Sequence, residues 1–204
     1  MVARSRLART LRSLRRFATV EIVQANTAGS EEGIAYRVDR SDTIVWLSDS
    51  WQTFALANDW QTPDDVLGTS IWESITGRET TLIWRELLAR ARQGVPINVP
   101  FRCDSPGTRR FLQLSITPGN RGEIDFRSTT LGLVEREPLA LVSAHYGPDE
   151  NIRCCSWCKR FDTDGWVEVE EAVARLGLLE HESRPVTHVM CPDCEVSVRR
   201  DAGL

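Results

Sequence analysis

Four cysteines in the last quarter of the chain have the spacing of metal ligands. They form two CxxC pairs, Cys155 with Cys158 and Cys191 with Cys194. Each pair places two thiolates on one tight turn, close enough to occupy two corners of a tetrahedral site. Together the pairs predict a structural Zn²⁺ ion bound by four cysteines. The 32 residues between the pairs exceed the usual spacing of roughly 15–20, so we expect a structured segment between them.

Other interpretations of these cysteines stay open at this point. The thiols could form a redox-active set, or they could bind a different metal or none. His188 lies three residues before Cys191 and could replace one thiolate, although a hydrogen-bonding or packing role is favoured. Four sulfur ligands would leave the ion no open coordination position, so the pattern argues against a hydrolytic centre.

Residues beside the pairs are expected to have supporting roles. Lys159 and Arg160 are cations that would offset the net −2 charge of a zinc ion with four thiolates. Cys154 directly precedes the first pair and is expected to point away from the site. Cys103 lies in an alternating strand pattern, which favours a small buried apolar residue over a redox-active or ligand-contacting thiol.

Length and composition limit the classes of protein. With 204 residues, the chain is long enough for one ordinary domain plus a small module. No apolar run approaches the ~20 residues of a transmembrane helix, and the first residues lack the features of a secretory signal. Five of the six cysteines follow residue 150, and without an export signal they are expected to be metal ligands instead of disulfides. The cytoplasm is the expected location.

Charge is distributed unevenly along the chain. The net charge is −4, and because residues 1–20 carry six arginines and no acid, the remainder carries −10. An acidic body argues against nucleic-acid binding, which depends on phosphate neutralisation. The basic start has leucines at helical spacing. It could bind a membrane surface or an acidic partner, pack on the protein or on a second copy, or stay disordered.

The middle of the chain combines strand and helix patterns. Alternating apolar residues predict strands at 34–39, 43–47, 99–103, 112–116 and 124–135. Between the second and third strands we expect a short helix that opens at Asp49 or Ser50 and a longer helix over residues 80–93, with Leu82 on its apolar stripe. This order predicts an α+β fold, a five-stranded antiparallel sheet with helices on one face.

Six short segments of this region together carry a resemblance to a known type of domain. They are Ile44–Ser48, Trp51–Ala55, Leu67–Trp72, Pro100–Asp104, Arg109–Leu112 and Ile116–Pro118. They resemble PAS domains of a bacterial subgroup in which Cys-x-Trp-Cys-Lys and Thr-His-x-x-Cys-Pro-x-Cys segments follow the domain. Here these segments are Cys155–Lys159 and Thr187–Cys194. The resemblance covers residues 34–136 and 152–195.

The resemblance implies a sensory or interaction module of bacterial signalling proteins. The chain is expected to divide into a basic helix and linker (1–33), a PAS domain (34–136), a connector (137–152) and a Cys₄ zinc module with one short helix (153–204). PAS cavities can hold flavin, haem or small metabolites. In this fold covalent flavin chemistry needs a cysteine on the long helix, and haem usually needs a histidine.

Residues 80–93 contain no cysteine and residues 34–136 contain no histidine, so both groups are disfavoured. A noncovalent flavin or a small organic ligand stays open, as does a cavity filled by tryptophan, phenylalanine and leucine side chains. The sequence shows no nucleophile–base pair. We therefore expect a non-enzymatic regulatory protein that forms a homodimer and acts through a protein partner. The alternative is a redox switch, in which oxidation of the four cysteines releases zinc and changes partner binding.

Overall fold

The structure, a computed structural model, describes residues 33–57, 63–105, 107–138, 152–176 and 186–204. The predicted basic helix and nearly all of its linker lie outside these residues, as do residues 139–151 of the predicted connector. Within the described ranges, the chain has a mixed α+β architecture with two sheets and four α-helices.

The first sheet has five strands and is antiparallel throughout. Its strands are β1 (Ile34–Val38), β2 (Ile44–Leu47), β3 (Ile97–Arg102), β4 (Thr108–Pro118) and β5 (Ile124–Glu135). Their order across the sheet is β2-β1-β5-β4-β3. Inward residues alternate along β4, where Leu112, Leu114 and Ile116 are buried. The predicted five-stranded antiparallel sheet is confirmed.

Helices and short 3₁₀ turns connect β2 to β3. They are α1 (Asp49–Ala57), the turns Pro63–Val66 and Ile71–Glu73, and α2 (Arg78–Arg92). The buried residues of α2 are Thr80, Ile83, Leu87, Leu88 and Ala91. The prediction that Leu82 belongs to this stripe is wrong, because its side chain is 52% exposed. Successive helical residues are rotated by about 100°, so burial of Ile83 turns Leu82 toward solvent.

The second sheet consists of four short strands. They are β6 (Ile152–Cys155), β7 (Phe161–Asp162), β8 (Trp166–Val167) and β9 (Val186–Val189), in the order β8-β7-β6-β9. Strands β6 and β9 are parallel, and the other pairs are antiparallel. Helix α3 (Val169–Leu176) follows β8 and contributes Val169 and Ala172 to a small core with Ile152 and Phe161. Part of the long spacer between the two CxxC pairs is therefore a folded unit.

The C-terminal segment ends in a second helix, α4 (Pro192–Ala202). The prediction of one short helix in this module is therefore wrong, since both α3 and α4 are present. Pro192 occupies the start of α4, where a missing backbone N–H costs nothing. Cys194, Val198 and Ala202 are buried at four-residue spacing, so a presumed metal ligand is also part of the helix's apolar stripe.

One hydrophobic core spans the first sheet, α2 and the C-terminal segment. The C-terminal residues that join it are Cys155, Trp157, Met190, Cys191, Cys194, Val198 and Ala202. At the boundary, Gly77 has a φ of 86°, and a Cβ there would lie 2.2 Å from the carbonyl oxygen of His188. Glycine therefore lets the start of α2 approach the backbone of β9. The CxxC turns are built directly onto the larger sheet.

Polar contacts cross the same boundary. The indole N–H of Trp157 donates to the carbonyl oxygen of Pro100 at 2.5 Å, and the backbone N–H of Arg102 donates to the carbonyl oxygen of Trp157 at 2.9 Å. The side chain of Arg102 is buried and forms ion pairs with Asp104 at 2.5 Å and Glu168 at 2.8 Å. Because a buried charge needs compensation, these pairs tie the end of β3 to the residue before α3.

Candidate metal centre

Four sulfur atoms meet beside the larger sheet. The Sγ atoms of Cys155, Cys158, Cys191 and Cys194 all lie within 4.8 Å of one another. The Sγ atoms of Cys158 and Cys191, which come from different pairs, are 3.8 Å apart. The structure thus brings together the four cysteines that the sequence pattern selected, and this cluster could hold a metal ion.

Parallel pairing of β6 and β9 places the two CxxC turns side by side. Cys155 ends β6 opposite Val189 in β9, so both strands lead into their turns at the same edge of the sheet. The first turn is closed by the backbone N–H of Lys159, which donates to the carbonyl oxygen of Cys155 at 3.0 Å. In the second, Cys191 is the N-cap residue of α4 and Cys194 lies in its first turn.

The sulfur separations fit tetrahedral coordination. A zinc–sulfur bond of about 2.3 Å would place tetrahedral sulfur atoms about 3.8 Å from one another. The distance between Cys158 and Cys191 has this value, and no pair exceeds 4.8 Å. Cys158 is half-buried, and the other three cysteines are buried. The residues therefore fit a thiolate-bound metal ion largely shielded from water.

Two N–H groups already donate to sulfur atoms of the cluster. The backbone N–H of Cys191 donates to Sγ of Cys155 at 3.4 Å. The Nε–H of Arg160 donates to Sγ of Cys158 at 3.3 Å. Such donors stabilise the thiolate, which is the form of cysteine that binds metal. The predicted charge-offsetting role of Arg160 thus has a direct contact to support it.

Hydrogen bonds among the four thiols shift their pKa values in different directions. Hydrogen bonds with the side chains of Cys158, Cys191 and Cys194 hold the pKa of the Cys155 thiol well below its ordinary value. Hydrogen bonds with the side chains of Cys155, Cys158 and Cys191 raise the pKa of the Cys194 thiol well above its ordinary value. A divalent cation would stabilise all four thiolates together, and its binding would release protons.

Three other candidate residues lie outside the sulfur cluster. Cys154 is buried in the small core with α3, and burial raises the pKa of its thiol to about 12, so the thiol is neutral at pH 7. Among the described residues, His188 is not part of any potential metal-binding group. Cys103 is half-buried, not fully buried as expected, and it lines a cavity beside the first CxxC turn.

A cavity of about 390 Å³ lies between the first sheet, its helices and the first CxxC turn. The aromatic side chains that line it are Tyr36, Trp51, Trp84, Phe101 and Trp157. Ser156 and Lys159 also line it, so the CxxC turn forms part of the wall. The bulky side chains expected in this region form much of the wall. They surround a volume in the range of small-molecule sites, roughly 300–1,000 Å³.

The sulfur cluster limits the chemistry of any ion that binds there. Four protein ligands complete a tetrahedral shell, so a bound ion would have no position left for water or substrate.

No protein-family model, curated protein or solved structure matches the chain. Among the described residues, no helix is both long enough and apolar enough to cross a membrane.

Replacing Arg160 with methionine should weaken metal binding by about tenfold, because contacts that support metal ligands typically contribute 10–100-fold in affinity. Methionine keeps much of the side-chain length but removes the N–H that donates to Cys158. Competition with a chromophoric chelator would measure the change. Arg153→Met is the matched control, since Arg153 pairs with Asp162 at 2.8 Å instead. Equal weakening in both variants would contradict a specific contribution of Arg160.

Proposed function

We propose that the chain is a non-enzymatic regulatory protein of bacterial signalling, with a PAS-type sensor and dimerisation domain and a structural zinc site. The observation that carries this proposal is the closed cluster of four sulfur atoms built into the core of the larger sheet. Such a site stabilises a fold and leaves no position for catalysis on the metal. The function is therefore assigned to binding and to transmission through a protein partner in the cytoplasm.

Zinc is the metal that the ligand chemistry favours. Four thiolates in a tetrahedral arrangement suit Zn²⁺ or iron, and Zn²⁺ needs no redox partner and has no geometric preference of its own. The residues that would hold it are Cys155, Cys158, Cys191 and Cys194. Zinc bound there would supply free energy of folding. The apparent binding free energy of structural zinc sites is roughly 10–16 kcal/mol. The short strands of the second sheet contribute little core of their own and make this contribution important.

The PAS-type assignment is supported by the order of elements and by the cavity. Two strands, two helices and three strands follow one another, as the resemblance implies, and α2 packs on the sheet with Leu87 and Leu88 fully buried. The cavity next to α2 offers aromatic walls to a noncovalent ligand. The output is proposed to pass through a protein partner and a homodimer.

Native mass spectrometry of the full chain, expressed in bacterial cytoplasm, tests the proposal. We expect one zinc ion per chain, because the four thiolates form one closed site. We also expect the mass of two chains, because the protein is proposed to be a homodimer. Chains that carry no stoichiometric metal would contradict the structural zinc site. A monomer at micromolar concentration would contradict the homodimer but not the proposed zinc site.

A redox switch is the second candidate, and the exposure of Cys158 favours it. Cys158 is the half-buried member of the cluster, so it is the sulfur that a peroxide could reach. Its Sγ lies 3.8 Å from that of Cys191. Peroxide would take two electrons from these thiolates, forming one disulfide and, with two protons, two water molecules, while zinc departs. Unchanged zinc content and thiol count after peroxide treatment would exclude this candidate.

A further inference from the structure

We infer that the cavity binds a flat aromatic acid and that its occupancy is thermodynamically linked to metal binding. This inference rests on the proposed function and specifies the class of ligand and the means of coupling. Its basis is that one CxxC turn serves two sites at once. Cys155 and Cys158 contribute sulfur atoms to the cluster, while the residues between and just after them line the cavity.

The aromatic preference follows from the walls of the cavity. Trp157 in the CxxC turn lies across from α2, with its ring centroid 5.8 Å from that of Trp84 and 6.3 Å from that of Phe101. Tyr36 also lines the cavity, and its ring stacks on that of Phe126 with centroids 4.6 Å apart. Burial raises the pKa of Tyr36, so its hydroxyl stays protonated and able to donate a hydrogen bond. Such walls fit a planar ring with a polar substituent.

The acidic preference follows from the charges that line the cavity. Two cations are present, Arg102 and Lys159. The charge of Arg102 is already compensated by Asp104 and Glu168. The ammonium group of Lys159 donates to the carbonyl oxygen of Ser156 at 2.9 Å, and no carboxylate among the described residues forms an ion pair with it. Lys159 therefore keeps donors for a ligand carboxylate.

The coupling follows from the position of the wall. Ser156 and Trp157 lie between two presumed metal ligands, and the hydroxyl of Ser156 is 3.0 Å from that of Thr80 at the start of α2. A metal ion that holds Cys155 and Cys158 would fix this wall in the conformation that the ligand contacts. The ligand would then bind more tightly to the metal-loaded protein, and by linkage would raise metal affinity by the same factor.

Titration calorimetry on the zinc-loaded full chain tests ligand class with two acids, 1-naphthoate and indole-3-acetate. The neutral controls are 1-naphthalenemethanol and indole-3-ethanol. We expect one acid molecule to bind per chain, and Lys159→Met to weaken acid binding by about tenfold while leaving alcohol binding unchanged. Ser128→Phe should block binding, since Ser128 lines the cavity from β5. Ser74→Phe is a second blocking variant should the first lose its far-UV circular dichroism spectrum.

Zinc competition with a chromophoric chelator tests the linkage, with and without saturating 1-naphthoate. We expect the acid to raise the apparent zinc affinity by about tenfold, and Ser128→Phe to remove this effect. Equal zinc affinity with and without the acid would overturn the linkage. Failure of both acids to bind at about 1 mM, or binding unaffected by Lys159→Met and both blocking variants, would overturn the cavity assignment. Equal acid affinity in the zinc-loaded and the metal-free chain would also overturn the linkage but not the ligand class, whereas a chain that binds no zinc would overturn the proposed zinc site.

Discussion

Cys191→Ser should reduce metal content from one ion per chain to near zero after dialysis against a chelator. Serine is a good N-cap residue, and Cys191 is the N-cap of α4 without a side-chain capping bond, so the substitution preserves the start of the helix. What it removes is one of four sulfur ligands. Losing even a third of the roughly 10–16 kcal/mol apparent for structural zinc would lower stability by more than about 3 kcal/mol. Metal analysis and urea denaturation measure both effects.

Two other cysteines provide matched controls for this experiment. Cys154→Ala and Cys103→Ser alter thiols that lie outside the sulfur cluster, one of them adjacent in sequence to a presumed ligand. Both variants should keep one metal ion per chain, although Cys154→Ala removes a buried sulfur and some packing. If Cys191→Ser also kept a full complement of metal in chelator, the four-sulfur site would be the wrong account of the cluster.

The structural features that could be predicted from the sequence are those that depend on local patterns. Short runs of strand-forming residues bounded by turn residues identified all five strands of the first sheet. The CxxC spacing identified four cysteines that the fold then gathers, since two thiolates separated by two residues share one turn. Both patterns extend over only a few residues, so they can be recognised without knowledge of contacts with the rest of the chain.

What could not be predicted depends on partners distant in sequence. Strands of two residues, such as β7 and β8, are too short to carry a period. The sequence did not predict helix α4, because Cys194, a residue of its apolar stripe, was assigned only to the sulfur cluster. The sequence placed Trp157 within a CxxC motif and did not predict that its ring packs in the same core as the first sheet. Such packing follows from tertiary contacts that neither spacing nor composition encodes.

Trp157→Ala should lower the free energy of unfolding by about 3–5 kcal/mol. The side chain is only 6% exposed and packs against Trp84 and Phe101. Its indole N–H also donates to the carbonyl oxygen of Pro100, which would lose this donor. Urea denaturation of the zinc-loaded chain, followed by far-UV circular dichroism, measures the loss without relying on tryptophan fluorescence.

Trp46→Ala is the matched control, since Trp46 lies on β2 with 45% of its surface exposed and should change stability by about 0.5 kcal/mol or less. Because the core is continuous from the sheet to the sulfur cluster, zinc release and loss of ellipticity should share one urea midpoint in both the wild type and Trp157→Ala. If Trp157→Ala advanced zinc release while ellipticity kept its original midpoint, the C-terminal segment would unfold independently. Trp157 would then stabilise only its own turn, and metal binding could not be transmitted to the sheet through this side chain.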